Sequence, residues 1–267
     1  MSGELYRDEG IVLRTYKLAE SDRIVVIMTA AHGKVRAVAK GVRKTKSKFG
    51  ARLEPMSHVR LLLYRGRELD IVSQAESIEP LSPMLSSLDR ASQGMAAIEA
   101  VVQLALEREP NPRLYRMAVG VLRTIAARPS PLNVSAFYWK LLAAEGLEPQ
   151  LDACVRCGSQ PGRAGERSES PSSVGADRSG LAGRPEPEHF VSFDVNEGGV
   201  HCRNCRTGTS ISPAALAIMR DILGGRLNEA LALEESPATH EVSTLATRAL
   251  EHHIERRLRA VAMFEAH

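Results

Sequence analysis

The four cysteines of the chain fall in two CxxC pairs, Cys154 with Cys157 and Cys202 with Cys205. Each pair can form a tight turn that directs two thiolates at one point, and two such turns supply the tetrahedral set of sulfur ligands that suits zinc. A single CxxC would leave redox chemistry open, and structural disulfides are rare in cytosolic proteins. We therefore predict one Zn²⁺ ion held by all four cysteines. Because four thiolates leave no open coordination position, we expect this ion to be structural.

A zinc-ribbon hairpin is predicted next to the second cysteine pair. Residues 190–195 have the composition of a strand, residues 196–199 (NEGG) form a turn, and residues 200–201 lead back. His189 and His201 lie close to the pair and are the alternative ligands that the spacing leaves open. Residues 159–188 separate the two pairs; they are rich in Ser, Gly, Pro, Arg and Glu and lack apolar periodicity, so we expect a disordered insertion.

A second stretch with chemical potential is strongly basic and runs from Gly33 to Arg52 (GKVRAVAKGVRKTKSKFGAR) without a single Asp or Glu. Its first half alternates apolar and basic residues, which predicts a strand with a cationic outer face, and its second half is a cationic loop. Such a surface can bind a phosphate backbone, whereas a solvated surface hairpin would usually mix charges of both signs. The predicted DNA-binding residues are Lys34, Arg36, Lys40, Arg43, Lys44, Lys46, Lys48, Phe49 and Arg52.

Phe49 is the one aromatic residue inside this basic stretch. Small barrels that bind single strands combine a basic groove with aromatic side chains on which bases stack. Phe49 fits that role, and it equally fits the role of an anchor that holds the loop to the barrel. Because charge dominates the stretch, we expect binding to be largely independent of sequence and sensitive to salt.

Motifs of catalysis are missing from the chain. It contains no GxxxxGK followed by Ser or Thr, no HExxH and no GxSxG, and no carboxylate cluster of the kind that holds two metal ions in nucleases. We predict that the protein is not an enzyme.

Composition and charge point to a globular protein with a basic N-terminal third. The 267 residues are 43% hydrophobic and 25% charged, with a net charge of +3. Residues 1–80 hold 15 Lys and Arg against 10 Asp and Glu, whereas the remainder holds 20 against 22. No apolar run is long enough to cross a bilayer and residues 1–10 do not form a signal segment, so we expect no membrane partner and a cytoplasmic location at the nucleoid.

The basic stretch must be positioned by a small β-domain. Residues 9–17, 22–29, 34–40, 57–64 and 68–73 are predicted strands, joined by short turns, and Gly33 can adopt the positive φ that the second turn requires. Five short strands within about 80 residues are typical of a closed barrel of the OB type. An open five-stranded sheet would show the same pattern.

The rest of the chain changes to helical periodicity. Apolar residues recur at threes and fours from Met84 to Glu109 and from Leu114 to Ala127, and a third helix is predicted over 136–145 with Asn133 or Ser135 as its cap. Trp139 lies on that helix, where we expect it to pack in the core. After the cysteines come a helix at 214–223 and a longer one from Ser236–Pro237 to Met263, with Arg248, Arg256, Arg257 and Arg259 on or beside its polar face.

Several of these segments together resemble one known family. The segments are Gly10–Leu13 (GIVL), Glu20–Asp22 (ESD), Thr29 with His32–Lys34 (HGK), Ala39–Arg43 (AKGVR), Pro55 and Glu68–Leu69. They resemble the N-terminal domain of RecO, a bacterial recombination mediator and DNA-annealing protein. The resemblance implies an N-terminal OB fold followed by a helical body, and many relatives carry the same pair of CxxC turns between helices.

The fold class that follows is α+β, with an N-terminal OB-type β-barrel followed by an α-helical domain that contains an inserted zinc ribbon with four cysteine ligands. The expected segments are an OB-fold DNA-binding domain over 1–80, the first part of the helical domain over 81–150, the ribbon over 151–210, and the last helical part over 211–267.

The function that the resemblance implies is that of a DNA repair mediator. Such a protein binds single- and double-stranded DNA and anneals complementary strands. With RecR it helps to load RecA onto DNA coated with single-strand-binding protein. An RNA-binding OB and zinc-ribbon protein of translation or transcription is the alternative, because phosphate charge alone does not separate DNA from RNA.

Overall fold

Five strands form the N-terminal part of the chain in the computed structural model, which describes residues 4–80, 82–161 and 189–260. The strands are β1 (Leu5–Lys17), β2 (Arg23–Thr29), β3 (Gly33–Ala39), β4 (His58–Tyr64) and β5 (Asp70–Ser77). They close into a barrel in the order β1-β2-β3-β5-β4, with β3 and β5 parallel and the other neighbours antiparallel. The OB-type barrel is therefore confirmed, and the open sheet is excluded.

The turn between β2 and β3 explains how the basic strand begins. Gly33 has φ +67°, as the sequence predicted, and a Cβ at this position would lie 2.0 Å from the carbonyl oxygen of Glu109. Glycine is therefore required both by the backbone conformation and by the close approach of the segment that follows α1.

Both faces of the barrel wall are buried over much of their length. Inward-facing side chains such as Val12, Val25 and Leu61 form one core, whereas outward-facing Leu13 and Met28 belong to a second core shared with the helices. This double burial explains why β2 is apolar at nearly every position rather than alternating.

The helical part consists of six helices within the described residues. They are α1 (Leu88–Leu104), α2 (Pro112–Ala127), α3 (Asn133–Ala144), α4 (Pro213–Leu223), α5 (Leu227–Ala230) and α6 (Pro237–Ile254). Helices before and after the ribbon share one core, since α3 packs against both α4 and α6. Trp139 on α3 is fully buried, as predicted.

Several predicted helix ends are wrong. Helix α1 spans only Leu88–Leu104 of the periodic stretch from Met84 to Glu109. Neither Asn133 nor Ser135 caps α3: the helix already begins at Asn133, and Leu132 precedes it without a side-chain cap. The last helix does not reach Met263 but ends at Ile254, where Glu255 adopts a left-handed conformation with φ +51°.

Buried or half-buried carboxylates explain the early end of α6. Glu251 accepts a hydrogen bond from the backbone N–H of Leu258 (2.7 Å), and Glu99 on α1 accepts one from Ala260 (2.7 Å). These bonds satisfy the backbone outside the helix. Arg256, Arg257 and Arg259 consequently follow the helix rather than lie on it.

The cysteine-bearing segment forms a small three-stranded sheet of β6 (Phe190–Asp194), β7 (Gly199–Cys202) and β8 (Thr209–Ser210) in the order β7-β6-β8. Phe193 packs edge-on against Trp139 with ring centroids 5.8 Å apart, which joins this sheet to the helices. Of the predicted insertion, 162–188 lie outside the described residues. No helix of the described ranges is long and apolar enough to cross a membrane.

Candidate metal centre and candidate nucleic-acid interface

The two CxxC turns bring all four cysteine sulfurs to within 4.8 Å of one another. The Sγ atoms of Cys157 and Cys202 lie 3.7 Å apart. Four sulfurs placed tetrahedrally at zinc–sulfur bond length would be separated by about 3.8 Å. The donor set therefore fits a tetrahedral thiolate site for a metal ion.

Local backbone geometry holds each cysteine pair in its turn. Gly158 donates to the carbonyl oxygen of Cys154 (2.8 Å) and has φ +70°, so the residue after the first pair needs the freedom of glycine, as predicted. The second pair is spanned by a single 3₁₀ turn over Arg203–Cys205. Both turns direct their sulfurs toward one common point.

Crowding of the thiols has opposite effects on their acidity. Hydrogen bonding with Ser159 lowers the pKa of Cys157, which favours its thiolate. Hydrogen bonding to Cys157 and burial raise the pKa of Cys205 to about 12. The four thiols thus differ in acidity, and a bound cation would displace the proton of each thiol that it ligates.

Neither nearby histidine belongs to this cluster. His201 is buried, with Nε2 2.9 Å from a Glu197 carboxylate oxygen and Nδ1 3.2 Å from the Thr207 hydroxyl. His189 lies 3.1 Å from the Ser159 hydroxyl. Among the described residues, the four cysteines are the one group of His, Cys, Asp and Glu side chains found with ligand geometry.

The basic loop between β3 and β4, residues 40–57, lies against the turn between β1 and β2. Its Gly41 N–H donates to the Asp22 carboxylate (2.8 Å), and its Arg43 N–H donates to the Ser21 carbonyl oxygen (3.0 Å). On the other side, Lys48 Nζ donates to the Ser73 carbonyl oxygen of β5 (2.8 Å). The loop is thereby fixed to the barrel at its beginning and in its middle.

Most of the predicted DNA-binding residues are exposed and on one loop. Arg36 on β3 is exposed as well, because the alternation of this strand buries Val35, Ala37 and Ala39 instead. The exposed cations of the loop are Lys40, Arg43, Lys44, Lys46, Lys48 and Arg52.

The structure corrects the prediction that Phe49 belongs to the DNA-binding residues. Its side chain is only 1% exposed and belongs to the core inside the barrel, and Lys48 Nζ lies 4.9 Å above its ring. A base therefore has no access to its face. The loop-anchor alternative, which the sequence left open, is what the structure shows.

Lys34 is half-buried at the junction of the barrel and the helices. Its ammonium group donates to the Val102 carbonyl oxygen (3.2 Å), and burial lowers its pKa. Its backbone pairs with the segment after α1, accepting from the Arg108 N–H (3.0 Å) and donating to the Leu106 carbonyl oxygen (3.1 Å). Lys34 therefore joins the two parts of the chain and is less available to a phosphate than its neighbours.

The predicted site did not include two residues on the outer face of the barrel, Arg14 and Tyr16. Strand pairing aligns Arg14 with Val26 and Arg36, and aligns Tyr16 with Ile24 and Val38. Residues directly opposite one another share a face of the sheet. The signal that would have found them is the strand register, which the basic composition of the 33–52 stretch does not reveal.

The arginines that follow α6 line a groove of about 1070 Å³ between β1 and α1. Arg256, Arg257 and Arg259 are exposed at its rim, and Arg14 lies on the barrel side. The sequence placed these three arginines beside a helix face, so their position at a groove is new.

Comparisons with known proteins agree along nearly the whole chain. The model of the family described as recombination protein O N terminal matches residues 1–81, and that described as recombination protein O C terminal matches residues 85–262. A curated protein named DNA repair protein RecO, from Frankia casuarinae (strain DSM 45818 / CECT 9043 / HFP020203 / CcI3), is 39% identical over 267 residues, which is 98% of each chain.

Proposed function

The chain belongs to the RecO family of DNA repair and recombination mediators, and from this premise we propose that it binds single- and double-stranded DNA through the basic loop of its barrel and anneals complementary strands. The observation that carries the proposal is the set of exposed cations on a loop fixed to a closed barrel. Each phosphate that these cations neutralise releases counterions, which drives binding of any sequence.

Two acidic residues beside the loop, Asp22 and Glu54, are already engaged. Hydrogen bonds from Gly41 and Ser21 lower the pKa of Asp22, so its charge is used to hold the loop in place. Glu54 is paired with Arg23 (2.8 Å). The positive charge of the loop is consequently left for an external anion. By neutralising two strands at once, the loop would reduce the repulsion that opposes annealing.

The partners of the proposed function are those of the family. In this proposal the protein acts with RecR to help load RecA onto DNA coated with single-strand-binding protein, and it works at the nucleoid. Membership of a DNA repair family favours DNA over the RNA-binding alternative. No step of this activity requires the protein to be an enzyme, and that part of the prediction is retained.

Zinc is the ion that the thiolate cluster suits best. Cys154, Cys157, Cys202 and Cys205 would hold it, and when bound it would supply structure rather than reactivity because no ligand position stays open. Because Phe193 packs against Trp139, an ordered ribbon would then stabilise the packing of the helical core.

The test is the salt dependence of single-stranded DNA binding, measured by fluorescence anisotropy. Each lost phosphate contact should reduce the slope of log affinity against log salt by about 0.7. The variant Arg43→Ala/Lys44→Ala/Lys46→Ala should thus show a slope shallower by about 2 and weaker binding of every sequence.

The matched control removes three exposed arginines from the helical surface, Arg113→Ala/Arg116→Ala/Arg226→Ala. It should retain the slope of the wild-type protein. An unchanged slope in the loop variant would show that the loop is a solvated surface, and the DNA-binding proposal for the barrel would be withdrawn.

A further inference from the structure

The outer face of β1, β2 and β3 is covered by helices at one end and open at the other. At the covered end, Ile11 and Met28 are buried in the core shared with the helices. At the open end, Tyr16, Ile24 and Val38 form one row across the three strands, because each is paired with the next. Ile24 and Val38 are half-buried, and the Tyr16 side chain is 49% exposed. The row is a small apolar platform with one accessible aromatic ring.

The neighbouring row supplies positive charge at a regular distance. Arg14 and Arg36 lie on either side of Val26, two residues along the strands from Tyr16 and Val38. Two residues of strand span about 7 Å, which is the scale of one step in an extended nucleic acid strand. Small barrels bind single strands by combining a basic groove with aromatic side chains on which bases stack.

A β-bulge at Leu13 lies where this face meets the groove beside α1. The pairing of β1 with β2 shifts between Val12 and Arg14, so Leu13 is the extra residue. Leu13 packs with the helices, and Arg14 directs a guanidinium nitrogen to within 3.5 Å of Glu99 on α1. Arg14 therefore borders both the open face and the groove.

The groove itself is apolar at its floor and basic at its rim. Leu13, Met95 and Ile98 lie along the floor, and the exposed arginines after α6 stand at the rim. Among the described residues that line it, Glu99 is the one carboxylate, but it is buried and its oxygens already contact Arg14 and the Ala260 N–H (2.7 Å). Arg36 and the exposed arginines after α6 therefore supply positive charge on the two sides of Arg14, which shares its own charge with Glu99.

We infer that single-stranded DNA follows one path from the open barrel face into this groove: a base stacks on Tyr16, Arg14 and Arg36 contact phosphates beside it, and the strand continues to Arg256, Arg257 and Arg259. The inference rests on the proposed function and adds to it the residues that bind beyond the basic loop. An acidic peptide would also suit an arginine-rimmed groove. The continuity with the Tyr16 platform and the adjoining basic loop favours a nucleic acid.

The first test replaces Tyr16 and measures binding of a (dT) oligonucleotide across a salt series. Tyr16→Ala should weaken binding about 10-fold, within the range found for loss of one stacked base. Tyr16→Phe retains the ring and should bind within about 2-fold of wild type. Because stacking releases no counterions, the salt slope should be the same in all three proteins. Tyr16 is exposed, so thermal melts should coincide and confirm that the fold is intact.

The second test uses oligonucleotide length. The variant Arg256→Ala/Arg257→Ala/Arg259→Ala should bind a (dT) strand of about 6 nucleotides like wild type, because such a strand is held by the barrel. For a strand of about 20 nucleotides it should lose the additional affinity and show a slope shallower by about 2.

The outcomes separate this inference from the proposal on which it rests. If wild type fails to bind DNA, both are overturned. If wild type binds and the basic-loop variant loses slope, but Tyr16→Ala binds normally, the path across the open face is overturned alone. If the arginine variant binds long and short strands like wild type, the groove serves another ligand and the second half of the path is overturned.

Discussion

Truncating the Phe49 side chain distinguishes two roles for this residue, packing in the barrel core and stacking on a DNA base. The ring is 1% exposed inside the barrel, among side chains that include Leu53 and Leu61. Phe49→Ala removes the ring from a packed interior, and such changes cost about 3–5 kcal/mol. Phe49→Leu keeps most of the volume and should cost less than about 1.5 kcal/mol.

Hydrogen exchange followed by mass spectrometry is the appropriate assay, because a chain with a separate barrel core and helical core is not expected to unfold in two states. Slow amides of β2 and β3 exchange when the barrel opens. A loss of about 3 kcal/mol should accelerate their exchange by roughly 150-fold in Phe49→Ala. Phe49→Leu should show less than about one tenth of that acceleration.

Binding measurements complete the experiment. Since Phe49 fixes the basic loop to the barrel, Phe49→Leu should retain the DNA affinity and salt slope of wild type. If exchange in Phe49→Ala changed by less than a few-fold while DNA affinity collapsed, Phe49 would be contacting DNA directly. The assignment of its ring to the barrel interior would then be refuted.

Three further predictions concern the metal centre, the barrel charge network and the turn before β3. Removing the metal with a chelator should shift the fluorescence emission of Trp139 to longer wavelength, because Phe193 of the ribbon, which packs against it, loses order. An unchanged spectrum would contradict a structural role of the metal, and so would a native mass spectrum that shows no bound divalent ion. Burial would raise the pKa of Asp70, but hydrogen bonds from Tyr6, Gly66 and Arg108 outweigh it and lower the pKa. The contribution of Asp70 to stability is therefore present above the ordinary pKa near 3.8 and is lost as the pH falls through the lower pKa of the folded state. Asp70→Asn should be less stable at neutral pH, and its stability should fall less steeply in acid than that of wild type. An acid limb parallel to that of wild type would rule this out. Gly33→Ala should destabilise the barrel by at least about 1–3 kcal/mol, because φ is positive there and the new Cβ would meet the Glu109 backbone. Gly120→Ala is the control: this glycine lies in a helix with open space around it, so the change should stabilise the protein by about 0.5–1 kcal/mol. Equal thermal melts for the two variants would contradict the expected difference.

Local signals in the sequence sufficed for the strands, the two cysteine turns and the need for glycine before β3. Each depends on residues near one another in the chain: alternation along β3, the CxxC spacing, the freedom of Gly33. These features are decided by backbone geometry within a few residues, and the structure retains them.

What the sequence did not reveal depends on contacts between distant residues. Phe49 is surrounded by cations in sequence but lies against the barrel core in space. Tyr16 shares a row with Ile24 and Val38 only through the strand register, which a bulge at Leu13 alters. Helix α6 ends where a carboxylate on α1 binds its successor segment. No local pattern encodes such partners.

The ribbon divides the helical core along the chain, so the two parts of that core are synthesised at different times. Ribosomes add about 5–20 residues per second, so Phe193 emerges roughly 3–10 s after Trp139, its partner in the core. During that interval the first three helices present an apolar surface whose covering helices do not yet exist. The barrel, whose internal core is complete by Ala75, can close earlier. We therefore expect chaperones that meet the nascent chain to engage α1–α3, and to leave once α4 and α6 have been synthesised.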